Sequence, residues 1–119
     1  MSLLRRLGKP ETRERQELRL PVPPDEALAA CRAALAEMNW SVESPGPGRL
    51  RSREDISMLH CGHAPMDLEV EVRQAEGGGS IVDAEGVVAG AGAVASKHLS
   101  QAMKAFVRVM ARHALVTAP

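Results

Sequence analysis

The sequence predicts an α+β domain: a two-layer sandwich of a five-stranded antiparallel sheet with two helices on one face, in the order β-α-β-β-β-β-α. Three observations predict it. Segments of alternating apolar and charged residues recur along the chain, the period of strands with one wet face. Two longer segments repeat their apolar residues at helical spacing instead. The last four strand segments are joined by three short links and so form an antiparallel meander. Both helices must then cover the one apolar face that the strands share.

Residues 1–13 are charged and read as a poorly ordered N-terminus, followed by a single domain over 14–116. Leu18, Leu20 and Val22 alternate with Glu17, Arg19 and Pro21 as the first strand, which Pro23-Pro24 ends. Proline suits the first turn of a helix, and Asp25 and Glu26 suit its positive end. Leu28, Cys31, Leu35 and Met38 follow at helical spacing among alanines, which gives a helix over about 24–38. Trp40 and Val42 open a second strand, and SPGPG (44–48) turns the chain. Arg49, Arg51 and Arg53 then alternate with Leu50 and Ser52, and Ile56 and Met58 keep the parity of Leu50.

The clearest strand sets Met66, Leu68, Val70 and Val72 against Asp67, Glu69, Glu71 and Arg73. EGGGS (76–80) is another turn, and a fifth strand over 81–88 keeps Val82, Ala84, Gly86 and Val88 on one face. The final helix spans about 94–115, with Leu99, Met103, Phe106 and Met110 on one stripe. Lys97, Gln101, Lys104, Arg108 and Arg112 fall half a turn away.

At 119 residues the chain has room for one domain. Its 15 basic residues balance 15 acidic ones, so no net field draws it to nucleic acid or to an anionic membrane. Trp40 and Phe106 are its only aromatic residues, which leaves the core to Leu, Val, Ala and Met. Two cysteines, Cys31 and Cys61, do not make a disulfide framework. No segment reads as a signal peptide or a membrane span, and the expectation is a cytoplasmic protein.

Over residues 15–115 this order of elements resembles two superfolds. One is the repeat unit of the TATA-box-binding-protein fold. The other is the helix-grip fold of START-type lipid carriers, in which a curved antiparallel sheet wraps a long C-terminal helix. The resemblance rests on topology and implies an architecture, because fold alone does not carry function over.

VVAGAGAVASKHLS (87–100) contains Gly90, Gly92 and Ala95 in the order G-x-G-x-x-A. A dinucleotide site needs a second parallel strand after the helix and an acidic residue near its end. Neither is present, since the last acid is Glu85. The glycines read as a sharp strand-to-helix turn. An anion held at that helix start would use Gly92 and Lys97, with Lys104, Arg108 and Arg112 extending the basic stripe toward phosphates.

His60, Cys61 and His63 place three soft donors on one turn, but no second ligand pair completes a metal site, and no metal or other cofactor is expected. His60 stands beside Cys61 on a strand and so points the wrong way to activate it. Glu54 shares the parity of Leu50, so strict alternation would bury it; the expectation is instead a β-bulge at Glu54-Asp55 that resets the phase and keeps both acids wet. Folding the hairpin about residue 61 sets Arg51 opposite Glu71 and Arg53 opposite Glu69 as ion pairs.

The expectation is a small non-enzymatic binding or protein-interaction module. It would hold an apolar ligand between the last helix and the sheet, against Leu99, Met103, Phe106 and Met110 with Trp40 near the mouth. The same pattern also describes a plain hydrophobic core. The charged sheet face is the other candidate surface. The alternative is a nucleic-acid-associated domain using the basic stripe, although no surface aromatics serve base stacking. No membrane partner is expected. An edge strand offers a route to a homodimer or a protein partner.

Overall fold

The computed structural model describes residues 10–55 and 65–117, with side chains as far as Ala114. Its elements run β1 (Glu11–Leu20), α1 (Pro24–Glu37), β2 (Ser41–Gly46), β3 (Arg49–Arg53), β4 (Asp67–Gln74), β5 (Ser80–Ala89) and α2 (Ala93–Thr117). The five strands form one antiparallel sheet in the order β1-β5-β4-β3-β2. Both helices contribute to a single buried cluster with the inward residues of the sheet, and the opposite sheet face is charged and exposed. This is the predicted α+β sandwich.

β1 begins before the first apolar residue of its pattern. Thr12, Glu14 and Gln16 occupy the inward positions ahead of Leu18 and Leu20, so alternation of apolar residues marks only half of the strand. All ten residues pair in regular register with β5. The chain then passes through Val22, which is buried and whose carbonyl accepts the Ser80 hydroxyl.

α1 starts on Pro24 with Asp25 and Glu26 in its first turn, without a side-chain cap. Its inward face is Ala27, Ala30, Cys31, Ala34 and Leu35, mostly small residues that let the helix lie close to its neighbours. The helix ends in a Schellman motif. Asn39 takes the left-handed conformation (φ 63°) and donates its N–H to Ala36, and Trp40 donates its N–H to Leu35. This reversal carries Trp40 into the core at the start of β2.

β3 and β4 pair on the expected faces but two residues away from the expected register. Arg49 stands opposite Glu71, Arg51 opposite Glu69 and Arg53 opposite Asp67. The predicted pairings Arg51–Glu71 and Arg53–Glu69 are therefore corrected. A shift of two residues leaves every side chain on its own face, so alternation cannot distinguish the two registers. The bulge expected at Glu54-Asp55 is also absent, because Glu54 N–H donates to the Met66 carbonyl at 3.0 Å and continues the ladder in phase. Glu54 therefore points inward.

The glycine-rich stretch is a strand-to-helix turn. Gly90 and Gly92 adopt φ of 102° and 97°, and the Gly92 carbonyl accepts the Ser96 N–H at 3.1 Å as α2 begins. α2 then runs back over β5 and β1 and packs beside α1.

Candidate functional site

The site is built where α2 crosses the end of the sheet. Its floor is Gly86 on β5. A Cβ at this position would meet Met103 Sδ at 2.8 Å, Leu99 Cδ1 at 2.9 Å and Met66 Cε at 2.9 Å. The missing side chain thus opens a space that three long, rotatable side chains fill from above. Leu99 and Met103 descend from α2, and Met66 comes from the residue preceding β4. All three are buried. Methionine fills irregular gaps with little rotameric commitment, so this patch of the core can adapt.

A polar pair borders this patch. Glu54 Oε1 lies 2.8 Å from His98 Nε2 and accepts the Met66 N–H at 3.1 Å. Only 14% of the Glu54 side chain and 17% of the His98 side chain remain exposed. The ladder past Arg53 aims Glu54 inward, and the helical position beside Leu99 aims His98 toward it. The imidazole Nε2 and the carboxylate Oε1 are within hydrogen-bond distance, with the donor set by the ring tautomer. A carboxylate–imidazole pair at an apolar wall can orient a polar group of a ligand and can move a proton.

Asp55 is drawn away from this pair and accepts a hydrogen bond from Asn39 Nδ2 at 2.7 Å. That contact ties the end of β3 to the cap of α1.

The predicted cleft residues lie in this same interior. Leu99, Met103, Phe106 and Met110 line the buried side of α2 and are at most 1% exposed, while Trp40 retains 9%. All five belong to one core cluster. The structure brings Leu99 and Met103 to the Gly86 floor. The basic stripe takes the opposite side of α2, where Lys97, Lys104, Arg108 and Arg112 are exposed. Arg112 is engaged by Glu37 of α1, which also meets His113 Nε2 at 2.9 Å, so that end of the stripe serves to clamp the two helices together. His60, Cys61 and His63 lie outside the described residues. Among the described residues no group of three or more His, Cys, Asp or Glu side chains could hold a metal ion. Burial pushes the Cys31 thiol up to about 12, so it stays protonated within the core.

On the outer sheet face, opposite charges meet across strands. Arg53 makes a two-pronged contact with Asp67 (2.7 and 3.1 Å), Arg49 reaches Glu71 at 3.6 Å, and Arg15 grips Asp83. The Arg15 guanidinium holds the Asp83 carboxyl below its usual range. A concavity of about 290 Å³ on this face is lined by Arg15, Arg51, Glu69 and Glu85, among others. Its walls carry both signs, with Arg15 paired to Asp83 and Arg49 to Glu71.

Glu54 was legible in part, through its parity with Leu50. His98 was not, because the contact spans 44 residues and no local pattern announces it.

No protein-family model matches the sequence, and no curated protein matches it. Solved structures do match the fold. One is the adenylate sensor from AMP-activated protein kinase in complex with 5-aminoimidazole-4-carboxamide 1-beta-D-ribofuranotide, at a TM-score of 0.61 and 17% identity, covering 78% of this chain and 93% of that one. A second is Ara h 8.0201, at a TM-score of 0.56 and 14% identity, covering 90% of this chain and 99% of that one. A third is the di-domain ARO/CYC protein StfQ from the steffimycin biosynthetic pathway, at a TM-score of 0.52 and 10% identity. There the match covers 87% of this chain and 50% of the other.

At these identities the likeness concerns the fold, which is of the helix-grip kind that the sequence resembles. The expectation that the chain is not an enzyme is corrected by the third match. A domain of this fold occurs in an ARO/CYC (aromatase/cyclase) protein, so the architecture does not exclude catalysis.

Proposed function

We propose that the chain is a small-molecule domain of helix-grip type, and that its ligand enters between α2 and the sheet at the Gly86 floor. The observation that carries this reading is the half-buried Glu54–His98 pair beside the Met66, Leu99 and Met103 side chains. Small-molecule sites are mostly apolar, with a few placed polar groups that fix orientation. The ligand class that fits is a compact apolar molecule with one hydrogen-bonding head. The body displaces the methionine tips from above Gly86, and the head meets the imidazole and carboxylate. The Ara h 8.0201 and ARO/CYC matches supply support at the level of fold.

Native mass spectrometry of the full chain, purified without denaturant, tests the reading. The expected result is a retained small molecule that Glu54→Gln and His98→Leu release while the fold persists. Retention unaffected by both substitutions, or a wild-type chain that carries nothing and binds no member of a fragment library, overturns it.

A further inference from the structure

We propose that β1 is a dimerisation strand: two copies pair β1 with β1 antiparallel about a two-fold axis at Arg15, joining their sheets into one. The two sheet edges differ in a way that points to this strand. β2 is six residues long, contains Pro45, and its register with β3 shifts between Glu43 and Gly46. Such features blunt an edge. β1 is ten residues long without proline or bulge, and among the described residues it pairs with β5 alone.

The free edge has a defined phase. Gly90 N–H donates to the Pro10 carbonyl at 2.9 Å, one step beyond the Glu11–Ala89 pairing. Bonded and non-bonded pairs alternate along an antiparallel ladder. Even-numbered residues of β1 therefore give their amide groups to β5. Glu11, Arg13, Arg15, Glu17 and Arg19 turn theirs to the open edge, and their side chains stand on the exposed face.

Antiparallel self-pairing must oppose odd residues with odd ones, so the allowed registers differ in steps that the charges can discriminate. Centring on Glu14 opposes Arg13 with Arg15 and Glu11 with Glu17, which are all like charges. Centring on Gln16 opposes Arg15 with Glu17 but Arg13 with Arg19. Centring on Arg15 opposes Glu11 with Arg19 and Arg13 with Glu17, each twice by symmetry. On the inner side the same register sets Glu14 beside Gln16 and Thr12 beside Leu18. The two arginines at the axis are already neutralised, because each lies against Asp83 of its own chain. Among the described residues Arg19 has no ion-pair partner within its own chain, so its opposite charge comes from Glu11 of the second copy, a carboxylate that also meets Arg13 of its own chain at 2.7 Å.

Sedimentation velocity of the full chain reads the outcome. The wild type is expected to dimerise reversibly. Arg19→Glu, an exposed substitution, should weaken the dimer at least about tenfold, because the axis makes each reversed pair count twice. Adding Glu11→Arg to that variant should restore it, and circular dichroism checks that the fold survives. In a Cys61→Ser background, Arg15→Cys should cross-link to itself under mild oxidation, and Glu11→Cys should not. A monomeric wild type, a dimer indifferent to Arg19→Glu, or cross-linking at residue 11 in preference to 15 overturns the proposal.

Discussion

At the scale of single residues, Asn39 and Glu54 position the site. Asn39 holds a left-handed backbone conformation at the end of α1, and it is the only described non-glycine residue to do so. Its amide also reaches Asp55, next to Glu54. Asn39→Ala should destabilise the fold by about 1 kcal/mol, the cost of placing an ordinary side chain in that conformation. Asn39→Gly keeps the backbone and loses only the Asp55 contact, so it should be the milder variant in urea melts. Trp40 is readable from the sequence as the start of a strand, whereas the capping role of Asn39 is not, because asparagine in a helix cap looks like any polar residue between two elements. Glu54 shows the converse. Its parity pointed inward, and a bulge was preferred because a buried carboxylate is costly without partners. The partners exist, but one is the backbone of Met66 and the other lies on α2.

At the scale of elements, the sheet's outer face is a set of cross-strand ion pairs whose signs were legible and whose register was not. Alternation fixed the faces of β3 and β4, while a two-residue shift leaves those faces unchanged and so escapes it. The Arg15–Asp83 contact between β1 and β5 gives this layer a pH dependence. Asp83 has a lower carboxyl pKa in the folded chain than in the unfolded one. The unfolded state therefore takes up a proton first as pH falls. The contribution of this pair is complete above the unfolded carboxyl range, near about 4, and is lost as pH drops through the folded value. The urea midpoint of the wild type should fall between about pH 5 and pH 3 more steeply than that of Asp83→Asn. Equal slopes would show that the pair contributes nothing to stability, the usual fate of exposed ion pairs.

At the scale of the whole molecule, the α+β sandwich follows from strands with one apolar face and two helices available to cover it. That logic was visible in the order of elements. The proposed site was not, since it depends on a missing Cβ at Gly86 meeting tips from α2 and from the residue before β4. Glycine on a strand face reads equally as a packing allowance, and only the three-dimensional crossing shows what stands over it. No helix among the described residues is long and apolar enough to cross a membrane.

The central claim is that a ligand enters above Gly86 by moving the methionine tips. Methyl-labelled methionine NMR tests it most directly, with 1-anilinonaphthalene-8-sulfonate as an apolar probe carrying one polar head. The account predicts that the Met66 and Met103 methyl signals shift together and saturably, that Met38 and Met110 follow weakly or not at all, and that His98→Leu reduces the affinity. Saturable shifts confined to other methionines, or to the amides of the charged outer face, would contradict it.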